Sequence, residues 1–483
     1  MVQKRSKTEF TTLVVFLFSV VMVLTNGFAG RIFAQSEDEV IYDQIEPIGE
    51  VLAEILDNYV YEPDMKKVVE GALTGIMLSL DRNSSFIPAD SYTSMREDTE
   101  GTFDGIGVQI RFFHESDNVW VYYPIPGAPA AKAGLRANDF IVAVDGVETQ
   151  NDLDAAAPDK RKALDLITKR IKGPRGTTVE ITVSREVTKG EPRERFTYPV
   201  RRGKIPLNSL VEARMLDNGI GYLRISDFKK NTADDVKDKV REFDDDHFSA
   251  LIIDLRWNPG GLLNASSEMC ELFLEKNSLV TFTRGREQSD GRFLDNMKLY
   301  TRKHPIVPET MPIIVLVSRG SASSSEIVTG AMQFYKRALV IGEKTFGKGS
   351  VQTVIGLTNP PGSAMRLTTA LYYTPAEITI DQVGILPDVE VEMDIDTQNN
   401  LRIQMIRSMD PGPEFINKQN HGNVTGNTEG EGEDELVNDV VLDRAIELLH
   451  SEPNFEKLMG KYHRDVHETQ KMASDELREQ KVK

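Results

Sequence analysis

Cysteine and histidine are the scarce residues of this chain, and their scarcity narrows its chemistry. The single cysteine, Cys270, excludes an internal disulfide framework and any cysteine-rich zinc site. It lies in an apolar helical pattern with Met269, Leu272 and Phe273, which predicts a buried core thiol rather than a reactive one. With no cysteine near the N-terminus, a lipid-modified protein is excluded as well. Seven histidines occur in 483 residues, and none falls between His304 and His421. A nucleophile in that stretch has no histidine base close in sequence. Basic residues are outnumbered, 57 Lys and Arg against 75 Asp and Glu, and the net charge of −18 argues against a nucleic-acid partner, because phosphate binding needs a basic face. No metal or other cofactor is expected.

The apolar run over residues 13–24, interrupted by Ser19, falls short of the roughly 20 residues a spanning helix needs unless it borrows from residues 26–29. Lys4, Arg5 and Lys7 precede it, and Ala29 and Ala34 offer two cleavage edges. That is the pattern of an export signal, with a cleaved peptide favoured over an uncleaved anchor. Either places the working domains outside the cytoplasm, in the periplasm or cell envelope, membrane-anchored if the segment is kept.

Periodicity divides the remainder into an α/β, multidomain chain. Residues 36–100 carry apolar positions at helical spacing (Ile45, Ile48, Val51, Leu52, Ile55, Leu56). Over 101–188 short strands and turns take over, including the hairpin signal Asp145-Gly146. Over 200–395 apolar strands such as Leu251-Ile252-Ile253-Asp254-Leu255 alternate with helical runs, as a sheet covered on both faces requires. Residues 396–436 end in an Asn-, Gly- and Glu-rich stretch and read as a flexible linker. The span 437–483 opens on an amphipathic helix and continues as a charged helix or frayed tail.

Three segments carry chemistry. The first is Gly320-Ser321-Ala322-Ser323-Ser324-Ser325-Glu326, between an apolar strand and an apolar helical run. Ser323 and Glu326 have capping-box spacing, which alone would mean a helix start and nothing more. The same geometry exposes a hydroxyl beside the free N–H groups of a first helical turn, where an oxyanion can be held. The second is Phe346-Gly347-Lys348-Gly349-Ser350-Val351-Gln352. Glycine at 349, where a phosphate loop needs Ser or Thr, rejects nucleotide binding. A lysine between two glycines, beside Phe346 and Val351, predicts a tight buried turn in which desolvation lowers the amine towards a general base, with Gln352 placed to orient it. The third is Asp254-Leu255-Arg256-Trp257-Asn258-Pro259-Gly260-Gly261, whose glycines permit close backbone approach and a second oxyanion donor, or simply end a strand.

Together these segments resemble the tail-specific, or carboxyl-terminal processing, peptidases, a serine–lysine family with the motif Gly-Ser-Ala-Ser-x-Ser-Glu followed by Phe-Gly-Lys-Gly-x-x-Gln. The resemblance implies a crotonase-like α/β protease core with an inserted PDZ domain and helical N- and C-terminal segments. It implies Ser323 as nucleophile, Lys348 as base, Gln352 as the residue orienting the lysine, and oxyanion donors at the amides of Ser324 and of Gly260 or Gly261. The stretch from Gly105 to Leu135 resembles the family's PDZ domain, and Leu80-Asp81-Arg82-Asn83-Ser84-Ser85-Phe86 its preceding signature. Gly105-Ile106-Gly107-Val108, otherwise a plain hairpin entry, then becomes the loop that grips a peptide's terminal carboxylate. A longer insertion between Gly146 and Gly173 departs from the pattern. The expected activity is endopeptidase cleavage of proteins with free C-termini. The helical flanks suggest a homodimer, and an activating partner protein is conceivable. A non-catalytic PDZ scaffold of the cell envelope is the alternative, and the intact Ser323, Lys348 and Gln352 weigh against it.

Overall fold

The structure is a computed structural model describing residues 37–112, 119–125, 127–157, 159–188, 191–245, 248–289, 291–409, 437–452, 454–463 and 467–482. The export segment and residues 410–436 of the expected linker lie outside the described residues. The earlier part of that span, expected as linker from 396, is instead the helix Ile395–Met409. Among the described residues no helix is long and apolar enough to cross a membrane.

The described residues fall into two compact units, one ending at 79 and the other beginning at 80. In the first, helix Glu37–Asn58 is followed by Met65–Leu78, which starts at Asp64 where the carboxylate accepts the Lys67 N–H. Both helices leave large apolar side chains exposed, among them Ile48, Val51, Leu56 and Ile76.

The second unit is built on a six-stranded sheet in the order Leu210–Leu216, Ile220–Ile225, Ala250–Asp254, Ile313–Val317, Leu339–Gly342, Val389–Glu390. The first pair is antiparallel and the rest are parallel. Its central strands are buried at every position and mostly apolar because both faces are covered. Leu251, Ile253, Ile313, Val315 and Val317 pack with helices Thr232–Asp245, Leu263–Glu271 and Ser324–Phe334, and Cys270 is buried among them. The alternate residues Ile252, Ile314, Leu316, Leu339 and Ile341 pack with Val440–Ser451 and Phe455–Tyr462. Those C-terminal helices close the second face through Leu448, Phe455 and Leu458, each such side chain worth roughly 1.5–3 kcal/mol on burial. An antiparallel sheet adjoins this core. Its strand Ala364–Tyr373 pairs with Ser85–Ile87, Leu279–Gly285 and Ser350–Gly356, and Lys298–Tyr300 extends the edge.

The inserted β-rich domain hangs on a two-stranded ribbon, Thr102–Gly105 with Gly203–Pro206. Its sheet runs Val108–Phe112, Val119–Pro124, Phe140–Val144, Thr178–Arg185, Glu194–Arg201. The last strand pairs with Thr178–Arg185 along its whole length, so the domain continues past the boundary expected at 188. Its alternation is masked by polar residues at both ends. Asp145 and Gly146 turn with φ of 49° and 75° into Val147–Glu148. The insertion after Gly146 resolves into helices Gln150–Ala156 and Lys160–Ile171, and the second buries Ala163, Ile167 and Ile171 at i, i+4, i+8.

One buried charge cluster ties the C-terminal helices to the sheet. Arg256 donates through Nε and Nη2 to Asp254 at 3.0 and 2.6 Å, and through Nη1 and Nη2 to Asp439 at 2.6 and 2.7 Å. The Tyr222 hydroxyl donates to Asp254 at 2.7 Å. Asp439 also caps helix Val440–Ser451 through the Leu442 N–H. Burial pushes Asp254 up, but Arg256 and Tyr222 outweigh it and leave the carboxyl below the usual carboxylate range. Its stabilisation is therefore present above the unfolded value and lost as pH falls through the folded one. Arg256→Met leaves the paired carboxylates uncompensated and is expected to cost about 3–5 kcal/mol in urea unfolding.

Candidate active site

The strand Ile313–Val317 ends at a turn whose serines are held by the neighbouring segment. The Ser321 hydroxyl donates to Leu255 O at 2.8 Å, Ser325 to Asn258 O at 2.9 Å, and Ser324 to Gly261 O at 3.1 Å. Ser323 is the cluster member whose hydroxyl is not spent on those carbonyls. It occupies φ 55°, ψ −116° at the N-cap of helix Ser324–Phe334. A non-glycine residue held there costs of order 1–3 kcal/mol, a strain that persists only where surrounding contacts enforce it. The enforcing contacts are visible: Ser323 O accepts Glu326 N–H and Ile327 N–H, and Ser323 N–H donates to Glu326 Oε2 at 2.8 Å.

Glu326 does more than cap. Its buried carboxylate also accepts the Thr345 hydroxyl at 2.5 Å, Gly347 N–H at 2.6 Å and Lys348 N–H at 2.9 Å. One side chain thus fastens the serine turn to the lysine turn. Burial still outweighs these four donors and raises the carboxyl above its ordinary value. Sequence spacing revealed only the cap, because the other three partners lie 19, 21 and 22 residues away.

The lysine turn is tight for a reason other than the one expected. Phe346 is 54% exposed and does not bury it. Instead a loop over residues 381–384 presses on the glycines, and a Cβ at Gly349 would come within 2.2 Å of Asp381 N. Burial, then the nearby Arg366 cation, holds the Lys348 amine below the usual lysine range, against a smaller opposing pull from Glu326. Among the described residues that amine makes no hydrogen bond or ion pair. The oxygens of Glu326 are taken by three main-chain N–H groups and the Thr345 hydroxyl, and it makes no ion pair with the amine. Gln352 turns its amide to Ser350 Oγ at 2.7 Å, where Asn83 Nδ2 also donates at 3.0 Å, and it does not bond Lys348 here.

The amides of the anion pocket sort themselves. Ser324 N–H and Gly261 N–H make no hydrogen bond among the described residues. Gly260 N–H is taken by Asn258 Oδ1 at 2.9 Å, which removes it from the pair of glycines expected as donors. Gly260 matters for proximity instead, since a Cβ there would lie 2.7 Å from Ser323 Cβ and 2.9 Å from Ser324 N. Asn258, fully buried, also donates to Ile225 O at 2.9 Å and organises the whole turn.

In the inserted domain, Gly105 ends the ribbon strand and Ile106 is buried. The carbonyls of Ile106 and Gly107 accept Ala130 N–H and Ile125 N–H. Val108 then opens the strand Val108–Phe112 at the edge of its sheet, where an extended peptide can add.

Residues 219–391 match peptidase family S41, and residues 120–157 match a PDZ domain. A carboxy-terminal-processing protease of Bartonella bacilliformis is 36% identical over 390 residues, 80% of this chain and 82% of that protein. This chain belongs to peptidase family S41. The corresponding protease of a Picosynechococcus species is 35% identical over 319 residues, 65% of this chain and 71% of that protein. Among solved structures, the photosystem II D1 C-terminal processing protease is 27% identical, with a TM-score of 0.38 over 71% of this chain and 86% of that one. Family membership makes the chain a serine-type peptidase with a PDZ domain rather than a non-catalytic scaffold.

Glu326→Gln keeps the shape but points an N–H₂ at two of the four donors. It is expected to lower stability by about 3 kcal/mol, for two lost hydrogen bonds to a charged acceptor. Peptidase activity should fall at least as far. Urea unfolding and casein hydrolysis, measured on the same preparation, check both.

Proposed function

We propose that this S41 peptidase is an exported endopeptidase that captures protein C-termini at its PDZ edge strand and cleaves them with Ser323, using Lys348 as base. The supporting observation is the Glu326 carboxylate, which holds the N–H groups of both Ser323 and Lys348 and so brings the two segments to one site. The neutral Lys348 amine takes the Ser323 proton as Oγ attacks the scissile carbonyl. The amides of Ser324 and Gly261 receive the developing oxyanion. Lysinium returns the proton to the leaving amine, and water, deprotonated by the same amine, releases the acyl group. No hydrogen bond joins amine and hydroxyl in this structure; the reaction requires one, and catalytic hydrogen bonds commonly tighten in the complex with substrate. Gln352, now on Ser350, orients the amine in that complex. Gly105, Ile106, Gly107 and Val108 form the loop that receives the substrate's terminal carboxylate.

The N-terminal basic and apolar pattern carries the export proposal, to the periplasm or cell envelope, with the same segment as anchor if uncleaved. The helical flanks and their exposed apolar positions favour a homodimer.

Ser323→Ala and Lys348→Ala are each expected to abolish casein hydrolysis, and wild-type rates in either would refute the dyad. A protonated Lys348 cannot accept the serine proton, so kcat/KM should rise with pH through an apparent pKa below the ordinary lysine value of 10.5. Gly105 and Gly203 face each other across the ribbon, so residues 106–202 can be replaced by a two-residue Asn-Gly turn. That variant should lose activity on a reporter protein with an unstructured C-terminal tail while keeping it on short peptides. Equal losses on both would count against the PDZ role.

A further inference from the structure

Tyr372 sits on the strand Ala364–Tyr373, which pairs with the strand following Lys348. Its N–H donates to Gly349 O at 2.9 Å, which seats it beside the lysine turn. Its side chain runs into the core that also contains Val328 and Met332 of the helix begun by Ser323. The residue is 2% exposed, and its hydroxyl is fully buried with no formed hydrogen bond among the described residues. Ser323 is among the groups near enough to act on the phenol, and no closed hydrogen bond joins the two hydroxyls. Burial, and then the Glu326 carboxylate, push it well above its ordinary value, so it stays a neutral O–H donor.

A buried hydroxyl without a partner weakens a fold, and phenylalanine would fill the same space without that cost. The oxygen therefore needs a reason other than packing. We propose that Tyr372 is a positioning residue for the nucleophile: its O–H donates to a lone pair of Ser323 Oγ and thereby directs the serine proton at the Lys348 amine. A serine hydroxyl has one proton and two lone pairs. With one lone pair taken from the core side, the proton is left to the lysine side and the other lone pair to the substrate carbonyl. The arrangement needs nothing from the phenol but its direction. It remains protonated throughout, and the proton transferred in the reaction is the serine's own.

The inference rests on Ser323 as nucleophile, and the test separates the two. Tyr372→Phe removes one oxygen and is compared with wild type and Ser323→Ala, using a concentration series of fluorescein-labelled casein and a thermal melt. The expected result is a kcat reduced about 100-fold, in line with a misdirected reacting group, with KM within about twofold. Tm should stand at or above wild type. A wild-type kcat in Tyr372→Phe, with Ser323→Ala inactive, overturns the positioning role and leaves the nucleophile assignment standing. A kcat that falls together with Tm assigns Tyr372 to the fold alone and also overturns it. Activity in Ser323→Ala removes the nucleophile and the inference together.

Discussion

A single carboxylate receiving four hydrogen-bond donors is the constraint on which this active site depends. Glu326 lies in the first turn of the helix that Ser323 begins, yet three of its four donors belong to a turn 19 to 22 residues further on. Charge-assisted hydrogen bonds of this kind are roughly twice as strong as neutral ones, and here they are made in a dry interior. They offset part of the cost of burying the charge, which still raises the carboxyl, and they hold Ser323 in its strained form. They also fix the relative position of two chain segments that no covalent bond joins.

Burial sets the electrostatics. The partly dry amine and the nearby Arg366 guanidinium disfavour the charged form of Lys348, and the smaller opposing pull comes from Glu326, whose oxygens accept three N–H groups and the Thr345 hydroxyl. The hydroxyls of Ser350, which also accepts from Asn83, and of Thr368 accept the Gln352 amide in place of a contact with the amine.

Much of this was legible in local pattern. The apolar strands of the core, the Asp145-Gly146 hairpin, the buried thiol of Cys270 and the capping-box pair Ser323 and Glu326 all follow from residue spacing alone. The capping-box reading holds, and the same Glu326 contact keeps Ser323 in its strained form. What escaped were contacts between residues far apart in sequence. The three extra partners of Glu326, the press of residues 381–384 on Gly349, and the capture of Gly260 N–H by Asn258 have no periodic signature. Phe346 misled because apolar character says nothing about which neighbour will cover a side chain. The strand Glu194–Arg201 was missed because arginine and glutamate dilute its alternation, and Ile395–Met409 because its polar composition resembles the linker that follows it.

The reach of Arg256 to Asp439 has a temporal consequence. The strand that ends in the anion-binding turn obtains its second counter-charge from a residue 183 positions later. The guanidinium has both of its counter-charges only once the segment carrying Asp439 has docked on the sheet. The turn that follows Arg256 is therefore completed by a late segment of the chain rather than by its sequence neighbours.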